Sequence, residues 1–155
     1  MKRIALLGTL LCALVCGAAL AGESFRPIDR DAARGLTDAK AYAAPTIVAL
    51  WSSDCVHCKS NLALFARMAK AEARLRVITV AVEPASTELA APLDRLAVPG
   101  TRFAYGPDAP EALAYALDSK WHGELPRTLF FDGRGGKAAV SGVVDEAKAR
   151  QALGL

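Results

Sequence analysis

Residues 46–59 read Thr46-Ile47-Val48-Ala49-Leu50-Trp51-Ser52-Ser53-Asp54-Cys55-Val56-His57-Cys58-Lys59. From Thr46 to Trp51 every residue but the first is apolar, the pattern of a strand buried on both faces of a mostly parallel sheet. Then Cys55, Cys58, Leu62, Phe65 and Ala69 recur at helical spacing, so the two thiols stand where a strand hands over to a helix. Cys-x-x-Cys at a helix start is a redox motif. Unpaired backbone N–H groups and the positive end of the helix dipole favour a thiolate on the first cysteine. The stripe turns Cys58 towards the core and leaves Cys55 at the exposed helix start. Arg67, Lys70 and Arg74 form a second stripe on the same helix.

Towards the N-terminus, Lys2-Arg3 precede an apolar run from Ile4 to Ala21 that ends Ala19-Leu20-Ala21. This reads as a secretory signal peptide, residues 1–21, cut before Gly22, with an uncleaved membrane anchor as the alternative. Neither Cys12 nor Cys16 follows the small residue of a lipoprotein signal. Cleavage leaves only Cys55 and Cys58, and losing Lys2 and Arg3 takes the formal net charge from +3 to about +1. That removes most of the case for a nucleic-acid partner. Residues 22–155 make one domain, large enough to bury a core without structural disulfides. So short a cysteine loop constrains the unfolded chain little. No dimerisation domain is visible, which makes a monomer the expectation.

Ser24 to Ile28 suggests a short edge strand, since Pro27 is kept off the centre of a sheet. Asp29 to Ala43 reads as helix, weakened at Gly35 and Thr37 so that a break or two short turns are expected. Val77 to Val82 is a second buried strand closed by Glu83-Pro84. Ser86 or Thr87 caps a helix through Leu89, Leu93 and Leu96 that stops at Pro99-Gly100. Arg102 to Tyr105 is a short strand, and Pro110 to Leu117 a helix with Asp108 as its cap. Leu125 to Asp132 is a strand led by Pro126. Asp132-Gly133-Arg134-Gly135-Gly136 turns into a strand over 138–144, and Asp145 caps a last helix ending near Leu153. The glycines sit between strands rather than before a helix, which favours a hairpin over a phosphate loop.

In this order the elements resemble the thioredoxin fold, an α/β fold with a central mixed sheet flanked by helices. More narrowly the chain resembles its exported TlpA-like, or redoxin, branch of thiol–disulfide oxidoreductases. The resemblance rests on Trp51-Ser52-Ser53-Asp54-Cys55-Val56-His57-Cys58 and on Tyr115-Ala116-Leu117-Asp118 followed by Gly123-Glu124-Leu125-Pro126-Arg127-Thr128-Leu129-Phe130-Phe131-Asp132-Gly133. That branch carries an extra strand and helix before the proline, a place filled here by residues 99–118. The resemblance implies a cis Pro126 beside the dithiol, with the Leu125 backbone pairing to an extended substrate segment, and Trp51 at the substrate surface. It implies Cys55 as nucleophile and Cys58 as resolving thiol, with no cofactor and no metal.

Three departures from the family matter. Asp54 places a carboxylate beside the nucleophile, which disfavours its thiolate. Thioredoxins carry a buried acid six residues before the first cysteine, and that position is Ala49, leaving Glu83, water or nothing for proton transfer to and from Cys58. Cys-Val-His-Cys resembles the dipeptide of DsbA-like oxidants, in which His57 stabilises the thiolate. Asp54 and His57 therefore pull in opposite directions. Trp121 and His122 edge the substrate groove or pack the loop.

The expected function is a periplasmic reductase of exported cysteine-containing proteins, supplied by a membrane thiol carrier. A DsbA-like disulfide donor is one alternative. Another is a metal-binding or chaperone module using Asp54, Cys55, His57 and Cys58, against which first-turn geometry argues. A peroxidase is not expected, because residues 48–55 lack the proline of the peroxidatic loop.

Overall fold

A computed structural model describes residues 24–155; the signal-peptide reading of residues 1–21 lies outside them. The elements are β1 (Arg26–Ile28), α1 (Arg30–Thr37), a 3₁₀ turn (Ala39–Ala41), β2 (Thr46–Trp51), α2 (Val56–Ala71), β3 (Arg76–Pro84), α3 (Thr87–Arg95), β4 (Thr101–Tyr105), α4 (Pro110–Leu117), β5 (Arg127–Phe131), β6 (Lys137–Ser141) and α5 (Glu146–Leu153). They build one six-stranded sheet in the order β1-β4-β3-β2-β5-β6. The pairs β1–β4, β4–β3 and β3–β2 are parallel, and β5 and β6 are antiparallel to their neighbours.

All six residues of β2 are buried, as its apolar run requires of a central strand. The pleat sends Ile47, Ala49 and Trp51 to one face and Val48 and Leu50 to the other. On the first face lie α2, α3 and α5, through Leu62, Phe65, Leu89, Leu93 and Leu153. The Phe65 and Phe130 rings meet edge to face at 6.1 Å, tying α2 to β5. On the second face, α1 and α4 pack through Ala33, Leu113 and Leu117.

The expected helix over 29–43 is divided: α1 ends at Thr37, and Asp38 caps the 3₁₀ turn by accepting the Lys40 N–H. β3 runs through Glu83-Pro84 rather than stopping before them, and β6 ends at Ser141, short of 144. Ser86 and Asp145 cap their helices as expected. Asp108 does not: α4 has no side-chain cap, and Asp108 instead accepts the Arg30 N–H at 2.9 Å in the first turn of α1, whose own N-cap is Asp29. The glycine-rich segment is the β5–β6 turn. There Asp132 accepts the N–H groups of Arg134 and Gly136, and these hold its carboxyl below the usual range. Gly133, at φ +75°, packs so closely on the Ala44 backbone that a Cβ would stand 2.7 Å from its carbonyl carbon. Among the described residues no helix is long and apolar enough to cross a membrane.

Candidate functional site

Parallel strands β1 to β4 all end on one side of the sheet, and the dithiol is placed there. Cys55 is the N-cap of α2, and its sulfur accepts the Cys58 N–H at 3.1 Å, so one orphan donor of the helix start is satisfied by the sulfur itself. The two sulfurs form a disulfide. Cys55 is half-buried, whereas Cys58, one turn on and facing the core, is 1% exposed. One sulfur is reachable and its partner stands behind it.

The loop into the helix is anchored from the neighbouring strand. Glu83, at the end of β3, accepts the Ser53 N–H on one carboxylate oxygen and the Ser53 hydroxyl on the other at 3.0 Å. Glu83 thus holds the approach to Cys55; both its oxygens face Ser53, not Cys58. Among the described residues no acid belongs to the core cluster around Cys58. Ala49 is flanked in the sheet by Thr79 on β3 and Thr128 on β5, and both threonine hydroxyls are buried without a hydrogen-bond partner.

Since β5 is antiparallel to β2, it begins where β2 ends, with Arg127 opposite Leu50. The Leu125-Pro126 bond, just ahead of Arg127, is cis, as expected. Pro126 is buried and Leu125 half-buried, packed against the same core cluster that Cys55 touches. A network shapes this loop. Arg127 donates from Nε and Nη2 to one oxygen of Asp118, and from Nη1 to Ser141 at 2.7 Å. Ser141 in turn donates its hydroxyl to Glu124, which holds the Glu124 carboxyl below its ordinary value. The Trp121 indole N–H donates to the Glu124 carbonyl at 2.7 Å. Trp121 is therefore buried loop packing, while His122 is exposed.

Trp51 needs correction. It is fully buried with its indole nitrogen unpaired, because the pleat turns it with Ile47 and Ala49 beneath α2. It supports the site from within and offers no surface to a substrate. Asp54 and His57 are exposed on either side of Cys55. Among the described residues no three His, Cys, Asp or Glu side chains gather as a metal site.

The sequence reading missed Asn61 and the segment 142–144. Buried Asn61, one turn after Cys58, donates to the Gly142 carbonyl at 3.1 Å and accepts the Val144 N–H at 3.0 Å. Gly142 N–H also reaches the Pro126 carbonyl at 2.8 Å. One residue thus ties α2 to the proline loop, and Val143 is left exposed at 60%, as Val56 is at 71% beside Cys55. A lone amide in the buried stripe of α2 was the available signal, since a buried polar group demands partners.

No protein-family model matches the chain, and no curated protein matches it. Solved structures do. It is similar to a thiol:disulfide interchange protein of the thioredoxin family from Chlorobium tepidum TLS: 16% identity over 86% of this chain and 92% of that one, TM-score 0.59. The chain has the thioredoxin fold. It is similar also to a secreted Mycobacterium tuberculosis disulfide oxidoreductase homologous to E. coli DsbE (14% identity, 74% and 84% covered, TM-score 0.57). A thioredoxin-related protein from Neisseria meningitidis serogroup B matches with 20% identity, 72% and 84% coverage and TM-score 0.57. Relative to the core of the thioredoxin fold, β4 and α4 occupy the place expected for the extra strand and helix before the cis proline.

Proposed function

We propose that the chain is an exported thiol–disulfide oxidoreductase that works as a reductase of protein disulfides. The observation that carries the reading is the pairing of a reachable sulfur at the cap of α2 with a buried sulfur bonded to it. In the reduced protein the Cys55 thiolate attacks a substrate disulfide, forms a mixed disulfide and releases one substrate thiolate. Cys58, as thiolate, then attacks the Cys55 sulfur and releases the second. The substrate gains two electrons, and the Cys55–Cys58 disulfide returns to the dithiol at the expense of a membrane thiol carrier.

The reducing direction is supported by the charges around the site. Asp54 adjoins Cys55, Glu83 holds Ser53, and Glu88 and Glu124 lie at the same end of the sheet. Negative charge disfavours a thiolate and so favours the disulfide form, which makes the dithiol the better reductant. The exported setting is supported by the charged, apolar and small-residue pattern of residues 1–21.

Equilibration of the purified protein with glutathione or dithiothreitol buffers tests the direction. A reduction potential near that of thioredoxin, about −270 mV, is expected; a value near that of DsbA, about −120 mV, identifies a disulfide donor instead. Cys58→Ser should trap the mixed disulfide on Cys55. Full exchange activity in Cys55→Ser would sink the mechanism.

A further inference from the structure

The end of the molecule opposite the dithiol carries a charge that the mechanism does not use. β1 to β4 start there, and α2 and α3 run back to it. Between the last turns of α2 and α3 lies an open groove of about 490 Å³, floored by Ala66, Leu96 and Pro99 and rimmed by Arg67, Lys70 and Arg95. Among the described residues, none of these three cations lies within ion-pair distance of a carboxylate. Arg74 and Arg76, at the entry to β3, extend the cationic face.

Of the two carboxylates nearest this face in the chain, one is paired with a cation and the other bonds a backbone N–H. Asp94 accepts from buried Arg102 at 2.6 Å, and Glu72 accepts the Arg74 N–H. A net charge near +1 therefore conceals a polarised molecule, acidic around Cys55 and basic at the far end. The chain also enters the fold from the basic end, because β1 runs parallel to β4, with Arg26 beside Phe103.

We propose that this face is a peripheral docking surface for an anionic phospholipid bilayer. Lipid phosphates meet Arg67, Lys70 and Arg95, and the apolar floor receives the glycerol and first methylenes. Charge complementarity, with an apolar floor between the cations, argues for a membrane. Docked this way, the protein turns Cys55 away from the bilayer, towards soluble substrates, and it leaves this surface to meet the membrane thiol carrier. The surface is independent of the direction of electron flow.

The test uses the chain from Gly22 on. This chain includes the described six-stranded sheet and the core clusters on both its faces. Sedimentation with phosphatidylcholine vesicles, with and without phosphatidylglycerol, is the assay. Binding is expected only with phosphatidylglycerol and is expected to weaken steeply with salt. The triple variant Arg67→Gln, Lys70→Gln, Arg95→Gln should bind about a hundredfold more weakly, at roughly fivefold per cation. Lys120→Gln with Lys148→Gln, which leaves this face intact, should bind as the parent does. Unchanged denaturant midpoints will show that the variants fold. Equal binding to both vesicle types, undiminished binding by the triple variant, or preference for polyglutamate over the vesicles would each overturn the proposal, the last in favour of an acidic protein partner.

Discussion

Arg127 sets two of its nitrogens, Nε at 3.1 Å and Nη2, on the same carboxylate oxygen of Asp118, and both side chains are about nine-tenths buried. The pair spans the loop that carries Leu125-Pro126. Burial alone opposes the Asp118 charge, yet hydrogen bonds from Arg127 and the Lys120 N–H outweigh it and hold the carboxyl below its ordinary value. A depressed native pKa contributes stability that is complete above the unfolded value of about 3.8 and is lost as pH falls through the native value. Asp118→Asn should cost about 2–3 kcal/mol at pH 7, since it keeps one acceptor oxygen but leaves a buried guanidinium without its counter-charge. That penalty should shrink on acidification below pH ~4. Denaturant melts of both proteins across that range check it, and a penalty independent of pH would show that the ion pair is not its source.

Glu83 acts on the other side of the site. Its charged carboxylate accepts two hydrogen bonds from Ser53, two residues before Cys55, and charge-assisted bonds of this kind are the stronger class. Glu83→Ala should lower stability by about 1.5–2 kcal/mol and raise protease nicking within 52–54. Glu83→Gln keeps one acceptor oxygen and should recover part of the loss. Equal losses in the two variants would contradict the anchoring role.

Local chemistry explains why the sheet and the dithiol were legible: a run from Ile47 to Trp51, a Cys-x-x-Cys at the next helix start, and caps at Ser86 and Asp145 act over a few residues. The bonds that finish the site act over long separations. Ser53 finds Glu83 30 positions on, Arg30 finds Asp108 at 78 and Asn61 finds Gly142 at 81. Composition shows that such side chains can bond, while only the folded register selects the partner. Asp108 was assigned to the nearer helix for that reason. Trp51 was misplaced because its side follows from the pleat phase of a strand buried on both faces, which an all-apolar run does not reveal.

Thr79 and Thr128 present a different balance. Each buries a hydroxyl without a partner on either side of Ala49, and an unmade bond in the core costs more than the same shape without the polar atom. Thr79→Val and Thr128→Val should each stabilise the protein by about 1 kcal/mol. With a strand between them, the two lie about 10 Å apart, so the double variant should show the sum. Loss of stability in either variant would reveal a buried water that the hydroxyl holds.

The unequal burial of the two sulfurs yields the most direct measurement. Cys55 sits at the helix start, where in the disulfide form the Cys58 N–H points at its sulfur at 3.1 Å, and the helix dipole there favours a thiolate once the bond is reduced. Cys58, on the core-facing side of α2 and 1% exposed, has no such access to solvent. Iodoacetamide should therefore label Cys55 alone in the native reduced protein, and Cys58 only after denaturation, as read by peptide mass spectrometry. Because the reagent consumes thiolate, the labelling rate against pH also titrates Cys55, and Asp54→Asn should shift that titration to lower pH by removing a neighbouring negative charge. Equal labelling of both cysteines in the native protein would remove the division into an attacking and a resolving thiol.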